Sequence, residues 1–384
     1  MSFIRSLKYK FRFLYIRIIA PVIINCIFFF IPRKEKTLLI IKTDGIGDYI
    51  LFRNYLAFLR LSAKYKDHTI FLLTNVANKE LAIRFDSEFV DGFFWYSDSY
   101  FLKWKLVSLL YRLQRLRTST IIYSNYSRKF IVDWLVNNIK ADKKTGIDGD
   151  TVNEAPQLKI ITDKYYSELI TVSKKNLHEF ELNKQIFEAI TGEKFGLIKP
   201  IIKKDKLQIA LNNSIVIFPG GSEGSKRWSP ENYNALSKLI TNKLKTNIIL
   251  TGGENEILIG AQICKGIEIG KISNQIARAT LVQLCEIIGG AKLLVSNDSV
   301  AVHIAVALDI PVICISKGDL YGRFIPYPEN IYASIKNILS ENFTAGIDSY
   351  SQFSASDIND VPVDTVFNAI QHSLVNSYKP IATS

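Results

Sequence analysis

Residues Ala291–Ser316, AKLLVSNDSVAVHIAVALDIPVICIS, read as strand, polar turn, helix and strand. Lys292–Ser296 is short, apolar and bounded by polar residues, the pattern of a strand buried on both faces. Asn297, Asp298 and Ser299 are all residue types that cap helices, and the spacing predicts a helix over Val300–Leu308. Pro311 stops that helix, so Val312–Ser316 becomes the second parallel strand of a βαβ unit. Ligands of such units sit at the carboxyl ends of strands, where free amides and the dipole of the next helix favour an anion, most often phosphate.

The same alternation extends in both directions. Ser214–Phe218 and Asn247–Leu250 read as strands, with helices over Pro230–Asn242, Glu256–Lys265, Leu281–Ile288 and Pro362–Ser377. Upstream, strands are predicted at Thr37–Thr43, Thr69–Leu73, Val90–Tyr96 and Ser119–Tyr123, and a helix at Tyr49–Leu61. Lys140–Gln157 is polar and contains glycine, and Asp163–Ser173 and His178–Thr191 read as helices before a lysine-rich linker, Gly192–Asn213. The economical fold is α/β, two doubly wound domains with parallel, helix-covered sheets. The expected division is a basic apolar segment 1–36, domains 37–200 and 201–360, and a helix and tail 361–384.

A chain of 384 residues, 48% hydrophobic and 22% charged, is large enough for two real cores, which argues against a disordered protein. Cys26, Cys264, Cys285 and Cys314 lie in apolar stretches without CxxC or Cys/His spacing, as reduced core thiols do in a reducing compartment. A formal charge of +12 points to an acidic partner: nucleic acid, anionic lipid or a phosphorylated substrate. The first 36 residues favour lipid, because Arg5, Lys8, Lys10, Arg12 and Arg17 precede the apolar run Ile18–Ile31, and Arg33, Lys34 and Lys36 follow it. That run is shorter than the roughly 20 residues that span a bilayer and carries Pro21 and Asn25, so it suits an interfacial or re-entrant helix. The alternative is an apolar extension packed on its own domain. No small-residue cleavage site follows it.

Three loops each follow a strand and precede a helix: TDGIGD at Thr43–Asp48, PGGSEGSKRW at Pro219–Trp228 and SNDSVAVH at Ser296–His303. The first lacks the third glycine of a dinucleotide fingerprint, and Asp48 would repel pyrophosphate; as an isolated Asp it also reads as the cap of the following helix. The second offers glycines for close backbone approach and the charged donors Lys226 and Arg227, without the GKS or GKT end of a P-loop. Asp148-Gly149-Asp150 resembles a metal-binding DxD, but its polar surroundings favour a solvated turn.

Taken together, the loops resemble glycosyltransferase family 9, the heptosyltransferases of lipopolysaccharide core assembly. The likeness runs through Leu38–Arg60, Ile215–Ile240, Ile249–Glu256 and Leu281–Ile315, and Tyr165, Tyr166 and His178 fit it too. It implies a GT-B architecture, with two Rossmann-like domains facing across a cleft, the acceptor on the N-terminal side and a nucleotide-sugar donor on the other. It further implies an inverting reaction in which Asp48 is the base and Asp44, Gly45 and Gly47 lie on the acceptor side. Lys226 would hold the diphosphate, with Ser225 and Arg227 beside it, and Glu256 the nucleoside ribose. Asn297, Asp298 and Ser299 would meet the donor, and His303 closes that motif in a binding or supporting part. The scheme needs no metal and no cofactor. Its partners are a nucleotide-diphosphate sugar, a lipid-linked or lipopolysaccharide core acceptor and an anionic membrane surface, not nucleic acid, which places the enzyme on the inner face of the cytoplasmic membrane. One departure stands out: the usual NDSGPMH is NDSVAVH here, with Val300 in the glycine's place. Two rival classes are a dinucleotide-binding oxidoreductase and a protein that keeps the fold and only binds a ligand.

Overall fold

The computed structural model describes residues 14–100, 104–172, 176–346 and 352–376. The chain divides into two units, one drawn from Met1–Gly45, Tyr55–Lys175 and Leu182–Phe195, the other from Ile46–Asn54, Asn176–Glu181 and Gly196–Ser384.

Unit 1 carries six parallel strands: β1 Thr37–Lys42, β2 Thr69–Asn75, β3 Gly92–Tyr96, β4 Thr120–Tyr123, β5 Lys143–Ile147 and β6 Glu168–Ile170. Their order is β3-β2-β1-β4-β5-β6. Unit 2 carries β7 Ile215–Phe218, β8 Ile248–Leu250, β9 Ile272–Asn274, β10 Leu293–Asn297, β11 Val312–Ser316 and β12 Ile335–Leu339, ordered β12-β11-β10-β7-β8-β9. Numbered within each unit, both orders are 3-2-1-4-5-6, the doubly wound arrangement with its switch point between the first and fourth strands. One architecture is thus built twice from unlike sequences.

The central strands β1, β7, β10 and β11 are buried at every residue, as helices on both faces require. In unit 1, Leu39, Ile41, Ile121 and Tyr123 pack with Leu106, Leu110 and Leu113 of the Trp104–Gln114 helix and with Val132 and Leu135. In unit 2, Ile215, Ile217, Val295 and Ile313 meet Tyr233 and Leu236 of the Pro230–Leu239 helix and Val366, Phe367 and Ile370 of the Val363–Asn376 helix. Each such large side chain contributes about 1.5–3 kcal/mol.

The structure departs from the sequence expectation at strands β9 and β12, which were not expected, and in the following elements. The helix expected over Tyr49–Leu61 is two helices, Ile46–Phe52 and Tyr55–Leu61. Between them Arg53 donates to the Ile201 carbonyl at 2.7 Å, and Asn54 exchanges two hydrogen bonds with Ile201, each 2.9 Å. These tertiary bonds outweigh local helix propensity. The helix expected at Asp163–Ser173 is a 3₁₀ turn, Asp163–Tyr165, followed by edge strand β6, with Ser173 outside the described residues. That strand pairs with Thr145–Ile147 of β5, which lies inside the polar stretch Lys140–Gln157. Charge hid this pair, because Lys143 meets Glu168 at 2.7 Å across it.

The leading segment forms a π turn, Tyr15–Ile19, and a helix, Ala20–Ile27. One face joins the unit 1 core through Ile16 and Ile24. Trp134 donates its indole N–H to the Arg17 carbonyl, and Gln114 donates to Asn25. The other face exposes Ile18, Val22, Ile23 and Ile27, and Phe30 beyond it is 90% exposed. Among the described residues, no helix is long and apolar enough to cross a membrane.

Candidate functional site

In unit 2 the chain reverses its strand order between β7 and β10, so the loops after these strands flank one switch point. Asn297, at the end of β10 and fully buried, ties them together. Its Oδ1 accepts from the Trp228 amide at 3.2 Å and the Tyr233 hydroxyl at 2.9 Å. Its Nδ2 donates to the carbonyls of Pro219 at 2.7 Å and Gly220 at 3.2 Å. The amide is saturated inside the protein and fixes the glycine-rich loop against the sheet. Ser299 caps the Val300–Ala307 helix, accepting from the Ala301 amide, and its hydroxyl meets that of Ser296 at 2.9 Å. The cap leaves the first amides of a buried helix pointing toward the same end of the sheet.

Lys226 ends a short 3₁₀ turn, Gly224–Lys226, in which Ser225 is exposed. Its ammonium lies 3.6 Å from Asp319, a carboxylate just past β11, and Lys317 reaches the same carboxylate at 3.4 Å. Asp298 is half-buried nearby. Desolvation pushes its carboxyl up to about 6; the Lys226 charge pulls the other way and Asp319 adds to the rise. Arg227 turns back, donating twice to the Gly221 carbonyl and pairing with Glu256 at 3.1 Å. Glu256 also accepts from the Gly253 amide at 2.9 Å. Arg227 and Glu256 therefore shape the two glycine loops while keeping a polar face.

The Ile46–Phe52 helix belongs to unit 2 and packs on the Val300–Ala307 helix. Gly47 permits this: a Cβ there would stand 2.9 Å from Cδ2 of His303. His303 Nδ1 lies 2.6 Å from the hydroxyl of Tyr327, whose ring packs against His178 at 4.4 Å, tilted by 43°. Burial, then the neighbouring His178, holds His303 down at about 3, and burial holds His178 at about 4. Asp48 is half-buried and is the third residue of its helix, in the first turn. It is not the cap, because that helix begins at Ile46 rather than Tyr49. Val300 opens its helix with ordinary negative φ, so the backbone there makes no demand for glycine.

In unit 1, the equivalent edge is polar. The buried Lys42 ammonium pairs with Asp44 at 3.2 Å and with Asn183 at 3.4 Å, and Asn78 donates to the Asp44 carbonyl. Gly45 is exposed. Tyr165 and Tyr166 stand in and after a 3₁₀ turn rather than on a helix, and the Tyr166 hydroxyl donates to Asp133. Burial raises the Asp133 carboxyl to about 7 despite the adjoining Arg128. Asp148, of the Asp148-Gly149-Asp150 stretch, pairs with Lys159 at 2.8 Å.

Of the residues singled out in sequence, the structure gathers Lys226, Arg227, Glu256, Asn297, Asp298, Ser299 and His303 at one end of the unit 2 sheet. Sequence reading missed Lys317, Asp319, Tyr233 and Tyr327. Lys317 and Asp319 were findable, since they follow a buried strand, β11, as the other loops follow theirs.

The profile of glycosyltransferase family 9 (heptosyltransferase) matches residues 121–347. No curated protein matches the chain by sequence. Among solved structures, the family 9 glycosyl transferase from Veillonella parvula is 15% identical, covers 89% of this chain and 98% of its own, and has a TM-score of 0.68. The E. coli heptosyltransferase WaaC with ADP is 14% identical over 88% of this chain and 99% of its own, with a TM-score of 0.68. The E. coli ADP-heptose lps heptosyltransferase II is 15% identical over 89% and 99%, with a TM-score of 0.62. At such identities the likeness is one of fold, and that fold is GT-B.

Proposed function

Because the chain belongs to glycosyltransferase family 9 (heptosyltransferase) and is a glycosyltransferase, we propose that it moves a heptose or related sugar from a nucleotide-diphosphate donor, ADP-heptose foremost, to a lipopolysaccharide core or similar acceptor. The observation that carries this reading is the placement of Lys226 beside the capped N-terminus of a buried helix at the unit 2 switch point. An ammonium and the positive end of a helix together suit a departing diphosphate, which is the charge that develops in sugar transfer.

In this reading Asp48 takes the proton of the acceptor hydroxyl as the anomeric carbon is attacked with inversion. Lys226 receives the charge of the leaving diphosphate, with Ser225 and the Ser299 amide region as uncharged donors, so the scheme calls for no metal. Asp298 meets sugar hydroxyls and Glu256 the ribose, while Arg227 holds Glu256 and the Gly221 turn in place. Asn297 serves the donor indirectly, as the strut of the loop that carries Lys226. His303 supports Gly47 and hence the helix bearing Asp48. Asp44, Gly45 and Gly47 are assigned to the acceptor side. The exposed apolar face at Ile18, Val22 and Ile23, with basic residues on both flanks, rests on the anionic inner face of the cytoplasmic membrane, where a lipid-linked acceptor is presented.

The test is to incubate the purified protein with a panel of nucleotide sugars and a lipid-oligosaccharide acceptor and to follow nucleotide release. Acceptor-dependent release from ADP-heptose above the other donors is expected. Release from none of the panel, with donors bound, would leave a ligand-binding protein instead of a transferase.

A further inference from the structure

The turn after β11 carries a constellation the reaction scheme has not used. Lys317, Gly318 and Asp319 follow Ser316, the last residue of the strand. Gly318 has φ +89° and its Cα faces the Phe343 ring so closely that a Cβ would stand 2.2 Å from Cε2. Leu320 is also left-handed, at φ +48°. These two departures from ordinary backbone geometry flank Asp319, and they turn the chain so that Lys317 and Asp319 share one charge cluster.

That cluster sets two cations on its one fully buried anion. Asp319 is 4% exposed and receives Lys226 at 3.6 Å and Lys317 at 3.4 Å. Its Oδ1 is fixed by the Ser354 amide at 2.7 Å, and Lys317 also donates to the Ser354 carbonyl at 3.2 Å. Asp319 Oδ2 has no hydrogen-bond donor among the described residues. Two ammonium groups share one carboxylate, with Asp298 coupled to Lys226 and Asp319 beside them, and both ammonium groups are only slightly exposed, at 16% and 13% of their side chains. An anion that touches both ammonium groups at once offsets their partial desolvation further.

We propose that Lys317 is a second diphosphate-binding lysine, working with Lys226 on the pyrophosphate of the donor, and that Asp319 is the positioning residue that holds the two ammonium groups apart and aimed. This rests on the donor-site reading of Lys226. The pair grips a ligand carrying two adjacent phosphates, so the site selects diphosphate-linked donors over monophosphate ones.

The experiment is calorimetry of ADP, inorganic pyrophosphate, AMP and adenosine against the full chain and its variants. Lys317→Gln, which keeps the stem and a donor for Ser354, should weaken ADP and pyrophosphate about tenfold, the scale of one charge-assisted hydrogen bond. It should leave adenosine unchanged and narrow the preference for ADP over AMP, and Lys317→Arg should restore most of the loss. Asp319→Asn should weaken ADP in the same sense, and the losses in the Lys317→Gln/Asp319→Asn pair should fall short of additive. Wild-type ADP affinity in Lys317→Gln, alongside a loss in Lys226→Ala, overturns the second-lysine proposal alone. Unchanged affinity in both variants overturns the donor-site reading itself. Equal losses for ADP and adenosine in Lys317→Gln would reduce Lys317 to a support of the loop.

Discussion

Asn297→Ala should damage the fold of unit 2 before it damages chemistry. The native amide makes four hydrogen bonds, to the Trp228 amide, the Tyr233 hydroxyl and the carbonyls of Pro219 and Gly220. At about 1 kcal/mol each the loss is about 4 kcal/mol, moderated where water enters the space. Tyr233 and Trp228 are buried and cannot turn to solvent. Trp228 is also the one tryptophan of unit 2, since Trp95, Trp104 and Trp134 belong to unit 1. Urea unfolding followed by fluorine NMR of 5-fluorotryptophan-labelled protein therefore reads unit 2 through a single resonance. Asn297→Asp should be worse near neutral pH, because it sets a carboxylate against two carbonyl oxygens in place of the amide donors. ADP affinity should fall with loop order in both. A stability change in Asn297→Ala below about 1 kcal/mol, together with abolished ADP binding, would refute the strut and make Asn297 a direct ligand contact.

Asp48→Asn should keep donor affinity and lower turnover about 100-fold or more, the usual effect of losing a general base; near-normal turnover would leave Asp48 a helix-terminus carboxylate. Val300→Gly should leave ADP affinity within about twofold, because Val300 is already helical, and cost about 0.5–1 kcal/mol of stability; a large gain in affinity would show that the side chain obstructs the donor. Asp298 has its folded pKa raised to about 6 from 3.8, so its stabilising share is complete below the unfolded value and lost as pH rises through the folded one. Asp298→Asn should accordingly gain stability relative to wild type between about pH 4 and 7, and a parallel pair of stability curves would dismiss the shift. Val22→Ser with Phe30→Ser should reduce capture by anionic vesicles while leaving unit 1 folded, since both side chains are exposed; unchanged capture would move lipid contact elsewhere.

What was legible in the sequence depended on burial. Strands β1, β7, β10 and β11 are apolar at nearly every position because helices cover both faces, and their pattern cannot be mistaken for a surface element. The last two strands of unit 1 were not legible: β5 and β6 place Lys143 and Glu168 on a half-covered face, where an ion pair imitates a polar loop, whereas the aromatic edge strand β3 was legible. β9 and β12 were missed for another reason, being short or half-buried. Loop positions after central strands were readable by topology, which is how Lys226 and Asp298 were found. Which of their neighbours would be absorbed into the framework was not readable. Asn297 and Ser299 are equally good caps in sequence, yet only Ser299 caps, because Asn297 lies one position inside the strand, where its amide meets two loop carbonyls.

His303 shows how the structure narrows the source of positive charge. The Phe180 amide donates to His178 Nδ1, so the His178 proton sits on Nε2 and goes to the Phe324 carbonyl. Tyr327 lies between the two imidazoles, its ring tilted against His178 and its hydroxyl 2.6 Å from His303 Nδ1. Both rings are buried, and both pKa values fall far below 6.5, to about 4 and about 3, so neither histidine carries charge near neutral pH. A neutral His303 cannot offset a developing diphosphate charge by Coulomb attraction. Its worth lies in shape: it fills the contact that Gly47 opens, and a larger residue at position 47 would push the ring from Tyr327. The cationic work at this end of the sheet then falls to lysine ammonium groups and the positive end of the helix.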